Sequence, residues 1–239
     1  LKEDTMSRIE DIRVETFDGM RGSVPGVAGA SRPWPPVEGA GPDLAATTYG
    51  WLMAGPARGD AFDRHVLACL IAAARAETQA SGDPLNHGLG LTPGDTAAVI
   101  GLYFPHATGL MPLLSCDGGA GGDALEEEDL RDLLLDHRAR GVEEEVWLAA
   151  MVSRRSLRPN HLWQDLGLGN RGELSRLLTR HFAPLAARNT RNMKWKKFFY
   201  RELCQREGVV VCKSPHCEAC DDHAVCFGPE DGMALLAAQ

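Results

Sequence analysis

Strand-forming runs are almost missing from this chain of 239 residues. Only Val209-Val-Val211 reads as extended, and three residues make at most an edge contact, which leaves no material for a sheet fold. No apolar run is long enough to cross a membrane, no internal repeat is present, and there is no apolar leader of the secretory kind. The expectation is a cytoplasmic protein with no membrane partner. A Ser/His/Asp arrangement, a phosphate loop and a paired acid/base constellation are also lacking, so the chain reads as a carrier and not an enzyme. With a net charge of −8 and a pI near 5.5, it would be a poor ligand for a phosphate backbone, and no nucleic-acid partner is expected.

What remains is helical pattern. The first forty-odd residues hold SVPGVAGASRPWPPVEGAGP, whose Gly and Pro density blocks regular structure and predicts a disordered arm over residues 1–42. A helical domain is expected over 43–208 and a Cys-rich loop and tail over 209–239, giving an all-α fold of seven or eight helices around one core. Asp43 reads as the cap of a helix to Ala54. Asp60 opens a longer one, Ala61 to Ala80, with Phe62, Val66, Cys69, Leu70 and Ala73 on one face, which makes Cys69 a core thiol. Thr92-Pro-Gly-Asp95 is a capping box for a helix that Pro105 ends. Ser115 to Gly122 lacks the Gly-Lys-Ser/Thr ending of a phosphate loop and reads as a flexible connector carrying an exposed thiol, Cys116. Asp123 and Glu126 predict a cap for a helix through Arg140, and Glu143 to Glu145 a solvated helix start. Asn170 and Glu173 predict the cap of a helix carrying Leu174, Leu177, Leu178 and His181.

Four of the seven cysteines fall within fifteen residues, Cys212, Cys217, Cys220 and Cys226, at the spacing Cys-x4-Cys-x2-Cys-x5-Cys. Thiolates this close repel one another and oxidise unless a cation or cluster neutralises them, and the odd cysteine total argues against a disulfide framework. Structural zinc usually takes two Cys-x2-4-Cys pairs separated by a longer loop. One compact wrap with uneven steps suits an iron–sulfur cluster better, with zinc as the second reading. Pro215 stiffens the loop, and Gly228 lets the chain turn away after it. His216 and His223 lie inside the loop, better placed to hydrogen-bond sulfur than to ligate. Cys204, eight residues upstream, is the best extra ligand, while His161 reads first as a helix N-terminal residue bonded to backbone and second as a metal contact.

Before the loop runs NMKWKKFFYREL. Read as a helix, it packs Trp195, Phe198, Phe199 and Leu203 and leaves Arg191, Lys194, Lys197 and Arg201 as a separate basic stripe. Six basic residues and no acidic one lie between Arg188 and Arg201. Beside four thiolates, that imbalance suits compensation of an anionic cluster, or docking of an acidic partner or an oxyanion.

Taken together, HLWQDLGL at 161–168, the NRGELSRLL run, NMKWKKFFYREL and CKSPHCEACDDHAVCFG resemble the nitrogen-fixation NifQ family from about His161 to Gly228. The resemblance implies a molybdenum- and iron–sulfur-binding protein that supplies molybdenum for the nitrogenase iron–molybdenum cofactor. By the same resemblance, Cys212, Cys217, Cys220 and Cys226 are the cluster ligands, and the assembly scaffold NifEN and the Fe protein NifH are the partners. A helical DNA glycosylase is the alternative from another class. Its loop spacing differs in the first step, x6 against x4, and Val24-Pro-Gly-Val27 is only a faint echo of its hairpin.

Overall fold

In the computed structural model, residues 42–122, 124–208, 217 and 220–234 are described, and all belong to one unit, Pro33–Gln239. Residues 1–41 and Val209–Val211 lie outside them, and with them the structure of the expected arm and edge segment.

Every regular element among the described residues is helical. Helix α1 (Pro42–Ala54) packs against α2 (Ala61–Ser81), the longest, and a short α3 (Leu85–Leu89) turns back onto α2. After α4 (Pro93–Tyr103) and a 3-10 turn (Thr108–Leu113) come α5 (Leu125–Leu135) and α6 (Glu143–Ser156), packed on each other. One-turn α7 (Leu162–Asp165), α8 (Arg171–His181), one-turn α9 (Ala183–Ala186), α10 (Trp195–Arg206) and the short α11 (His223–Phe227) complete the order. None of these helices is long and apolar enough to cross a membrane.

Local chemistry sets several helix starts. Asp60 Oδ1 accepts from the N–H groups of Phe62 and Asp63 at 2.9 and 3.1 Å, Thr92 Oγ1 from Asp95 at 3.1 Å, and Asn170 Oδ1 from Glu173 at 3.1 Å. Each satisfies amides that have no partner inside the helix. One expected start and one expected end are corrected. Pro42 opens α1, so Asp43 sits inside the helix, in keeping with proline's fixed φ at a first helical position. Asp123, the expected cap of the next helix, lies outside the described residues; α5 begins at Leu125 and stops at Leu135, well before Arg140. His137 Nδ1 donates to Leu133 O at 2.7 Å and Arg138 Nε to Leu135 O at 3.2 Å, closing the last turn with side chains.

Helix α2 is buried on more than one face. Ala68 to Ala72 are all buried, whereas Ala73, expected on the core face, is only half-buried. A helix apolar around its circumference belongs at the centre of its domain. Around it gather Leu52, Leu85, Ile100, Phe104, Leu130, Leu148, Leu177 and Phe182.

Buried carboxylates tie this core together. Glu145 is fully buried, not solvated: its oxygens accept from the backbone N–H groups of Arg140, Gly141 and Val142. Glu127, equally buried, takes Arg154 Nε at 2.8 Å. Arg154 also donates to His87 O at 2.6 Å and to Ala120 O at 3.3 Å, and thereby reaches the glycine-rich segment. Buried Asn86 completes that anchorage, donating to Gly119 O at 2.8 Å and accepting from Ser115 N at 2.9 Å. The expected flexible connector is thus bonded at both ends. At Gly121, with φ of 96°, a Cβ would lie 3.0 Å from the His87 ring, so glycine is required there by backbone and by space.

Candidate metal centre

Helix α10 forms as its pattern predicts. Trp195, Phe198, Phe199 and Leu203 are buried, with the Trp195 and Phe198 rings edge to face at 5.7 Å, and Trp195 Nε1 donates to Ser175 Oγ at 3.2 Å. Lys196 also turns inward. Its Nζ lies 2.6 Å from Asp165 Oδ2, donates to Asn160 O at 2.8 Å and makes a further short contact with Arg158 O. The helix is thus fastened to the segment around α7.

The C-terminal cysteine segment sits across the start of this helix. Cys220 N–H donates to Cys217 O at 3.2 Å, folding the x2 step into one turn, and His223 N–H donates to Cys220 O at 3.0 Å to lead into α11. Cys226 lies on α11, and it and Phe227 pack against the core. Gly228 N–H then donates to Ala224 O at 2.8 Å. Its φ is −62°, so glycine is not needed for a left-handed turn; a Cβ would lie 2.4 Å from Ala224 O, and close approach is the reason.

The basic stripe divides into two roles. Lys194 N–H donates to Cys226 O at 2.8 Å, its Nζ reaches Ala224 O at 3.5 Å, and the Arg191 guanidinium lies 5.5 Å from the Phe227 ring centre. These two cations hold the cysteine segment. Lys197 is exposed and Arg201 half-exposed, and neither has an ion-pair partner among the described residues. Because Lys194 caps α10, the positive end of the helix dipole also faces the segment bearing Cys226, which favours anionic sulfur there.

Cys217 and Cys220 are free, half-buried thiols, and the Cys226 side chain is half-buried as well. Cys212, Pro215 and His216 lie outside the described residues, and among the described residues no three His, Cys, Asp or Glu side chains converge into a metal-holding group. Three cysteine sulfurs close in sequence, the last of them pinned to a cationic helix end, are a donor set that suits a sulfur-rich cluster. Of the other candidates, His223 stacks on Phe227 with ring centres 4.7 Å apart, and Cys204 is a free, half-buried thiol near the end of α10. His161 precedes α7 as expected, but its ring is directed to a carboxylate: Nδ1 lies 3.6 Å from Glu230. Cys69 is a core thiol, its pKa pushed up to about 12 by burial and by nearby Glu173, and takes no part in the loop.

Sequence reasoning missed Glu230 and Arg171. Glu230 is nearly buried and paired with Arg171 at 3.3 Å, and nothing in the local pattern distinguishes it from a tail carboxylate.

The NifQ family model matches residues 66–228, which include all four loop cysteines. The chain belongs to the NifQ family. A NifQ homolog from Sinorhizobium fredii is 40% identical over 175 residues, covering 72% of this chain and 74% of that protein. The NifQ protein of Azotobacter vinelandii is 51% identical over 105 residues, 44% of this chain and 54% of its own length. That of Rhodobacter capsulatus is 38% identical over 173 residues, covering 72% and 93%. No solved structure matches the chain. NifQ proteins are molybdenum donors for iron–molybdenum cofactor biosynthesis, and this assignment displaces the glycosylase-like alternative.

Proposed function

We propose that this chain carries molybdenum on an iron–sulfur cluster held by Cys212, Cys217, Cys220 and Cys226, and passes it to the NifEN scaffold with NifH. The observation that carries the reading is the cysteine segment itself: it lies inside the span matched by the NifQ family and is fastened to the positive end of α10. Bound there, a cluster supplies soft sulfide sites for reduced molybdenum.

The chain's own groups do the remaining work. Four thiolates hold iron, while Arg191 and Lys194 fix the Cys226 end and offset its negative charge. Lys197 and Arg201 are left to draw in an oxyanion such as molybdate or the acidic surface of a partner. His223 and His216 stand as hydrogen-bond donors to sulfur, and Cys204 as a reserve ligand. Nothing in this set makes or breaks a substrate bond, so the protein is a carrier and not an enzyme. Thiolates and cluster sulfides survive in a reducing, low-oxygen cytoplasm.

The test is metal and sulfide analysis of protein purified without oxygen. Iron, acid-labile sulfide and molybdenum together support the reading. Zinc alone, in a colourless protein, overturns it.

A further inference from the structure

We propose that Arg171 is a positioning residue for the cysteine loop, clamping to the body of the protein both the turn that holds the Cys226 carbonyl and the tail that follows Cys226. This rests on the reading of that loop as a cluster site. Arg171 is the first residue of α8, far in sequence from any cysteine, yet its guanidinium bridges two segments that meet at Cys226. On one side Nη2 donates to Asn192 O at 3.0 Å, to Asn192 Oδ1 at 3.0 Å and to Met193 O at 2.9 Å. On the other, Nε lies 3.3 Å from Glu230 Oε2.

The first contact stabilises an unusual turn. Among the described residues Asn192 is the one non-glycine residue with positive φ, 56°, a conformation that asparagine tolerates better than most side chains. Asn189 grips the same turn, accepting from Met193 N and donating to Met193 O at 2.8 and 2.9 Å. The next residue is Lys194, whose N–H holds Cys226 O. Arg171 therefore fixes the backbone that fixes the ligand's carbonyl.

The second contact acts from downstream. The Glu230 side chain is 5% exposed, and its other oxygen lies 3.6 Å from His161 Nδ1. A carboxylate this deeply placed is costly without a facing cation, so Arg171 is what allows the tail to lie down four residues after Cys226. The pair lacks the alignment of a hydrogen bond and works through charge. Further along, Gln164 Nε2 donates to Met233 O at 3.0 Å and extends the seal. Removing Arg171 frees the turn that holds Cys226 and the tail after it while leaving the buried core around α2 untouched.

The experiment uses the full chain reconstituted anaerobically with ferrous iron and sulfide. It follows iron loss to a chelator, the visible band shape of the cluster, and helix melting by circular dichroism. Arg171→Ala and Glu230→Ala are expected to lose iron about tenfold faster, within the range of outer-shell effects on metal affinity, with an altered band shape. The double variant should be no faster than the faster single one, because both remove the same clamp. Arg171→Lys keeps the charge but not the bridge and should fall between. Arg206→Ala, which breaks an exposed pair with Asp136, should match the native chain. If Arg171→Ala does not fold, Glu230→Gln decides, with the same acceleration expected. Native rates in the single variants, additive effects in the double, or iron loss that merely tracks a lowered melting temperature would each overturn the clamp. A native chain that takes up no cluster overturns the loop assignment itself, a separate result.

Discussion

The backbone N–H of Lys194 donates to the carbonyl of Cys226 at 2.8 Å, joining the start of the aromatic helix to the last cysteine of the loop. One hydrogen bond thus ties together two motifs 32 positions apart. It gives the loop a fixed end, and it places the positive end of α10 beside Cys226.

If the loop thiols act as a unit, replacing any of Cys212, Cys217, Cys220 or Cys226 by Ala should strip or degrade the visible cluster absorption. Cys69→Ala should retain it, because that thiol is buried in α2 and behaves as a small apolar group. Iron content and absorbance after anaerobic purification check this. Equal iron in all five variants would refute the ligand assignment.

Glu127→Ala should destabilise the fold by about 3 kcal/mol, since it takes the carboxylate away from the guanidinium of Arg154, itself largely buried. Glu126→Ala and Glu128→Ala, on the exposed side of α5, should each stay within about 0.5 kcal/mol. Denaturant unfolding of the three variants measures the contrast, and a similar cost for all would remove Glu127 from its role.

These residues also mark what the sequence conceals. The caps at Asp60, Thr92 and Asn170 were legible because each acts within three residues of itself. The packed face of α10 was legible from its period. Partners of buried carboxylates were not. Glu127 meets Arg154 across 27 residues and Asp63 meets His181 across 118, and a lone acidic residue in a sequence reads as surface. Glu143, Glu144 and Glu145 look alike in a row, but only the third reaches back to the amides before the helix. The basic stripe was legible as a face. Its division between Lys194 and Lys197 was not, because periodicity shows which residues share a side and not what comes to lie on it.

Asp63 gives the fold an acid sensitivity. Burial alone would raise its pKa, but hydrogen bonds from His181 at 2.9 Å and from Arg180 Nη2 at 3.2 Å outweigh that and hold the carboxyl below its ordinary value. A depressed carboxylate pKa contributes stability that is present above the unfolded value, about 3.9, and is lost as pH falls through the folded one. Melting temperature should therefore drop as pH falls below about 4, and Asp63→Asn should be less stable at neutral pH with a shallower acid decline. An equally steep decline in Asp63→Asn would place the acid sensitivity elsewhere.

The free half of the basic stripe can be tested apart from the half that pins the loop. Lys197→Glu with Arg201→Glu reverses two charges that have no ion-pair partner among the described residues and leaves the apolar face of α10 intact. Lys194→Glu, by contrast, also disturbs the contact with Ala224 and confounds steering with loop geometry. If Lys197 and Arg201 steer molybdate or an acidic scaffold surface, the double variant should deliver molybdenum to NifEN with NifH about tenfold more slowly at low salt. The gap should close as salt rises, since the screening length falls from about 8 Å at physiological ionic strength to about 3 Å at 1 M. The measurement is transfer rate at two salt concentrations, with cluster absorption confirming that both proteins are fully loaded. Equal rates at low salt would leave Lys197 and Arg201 as solvated charges, and recognition of the partner would then have to lie off α10.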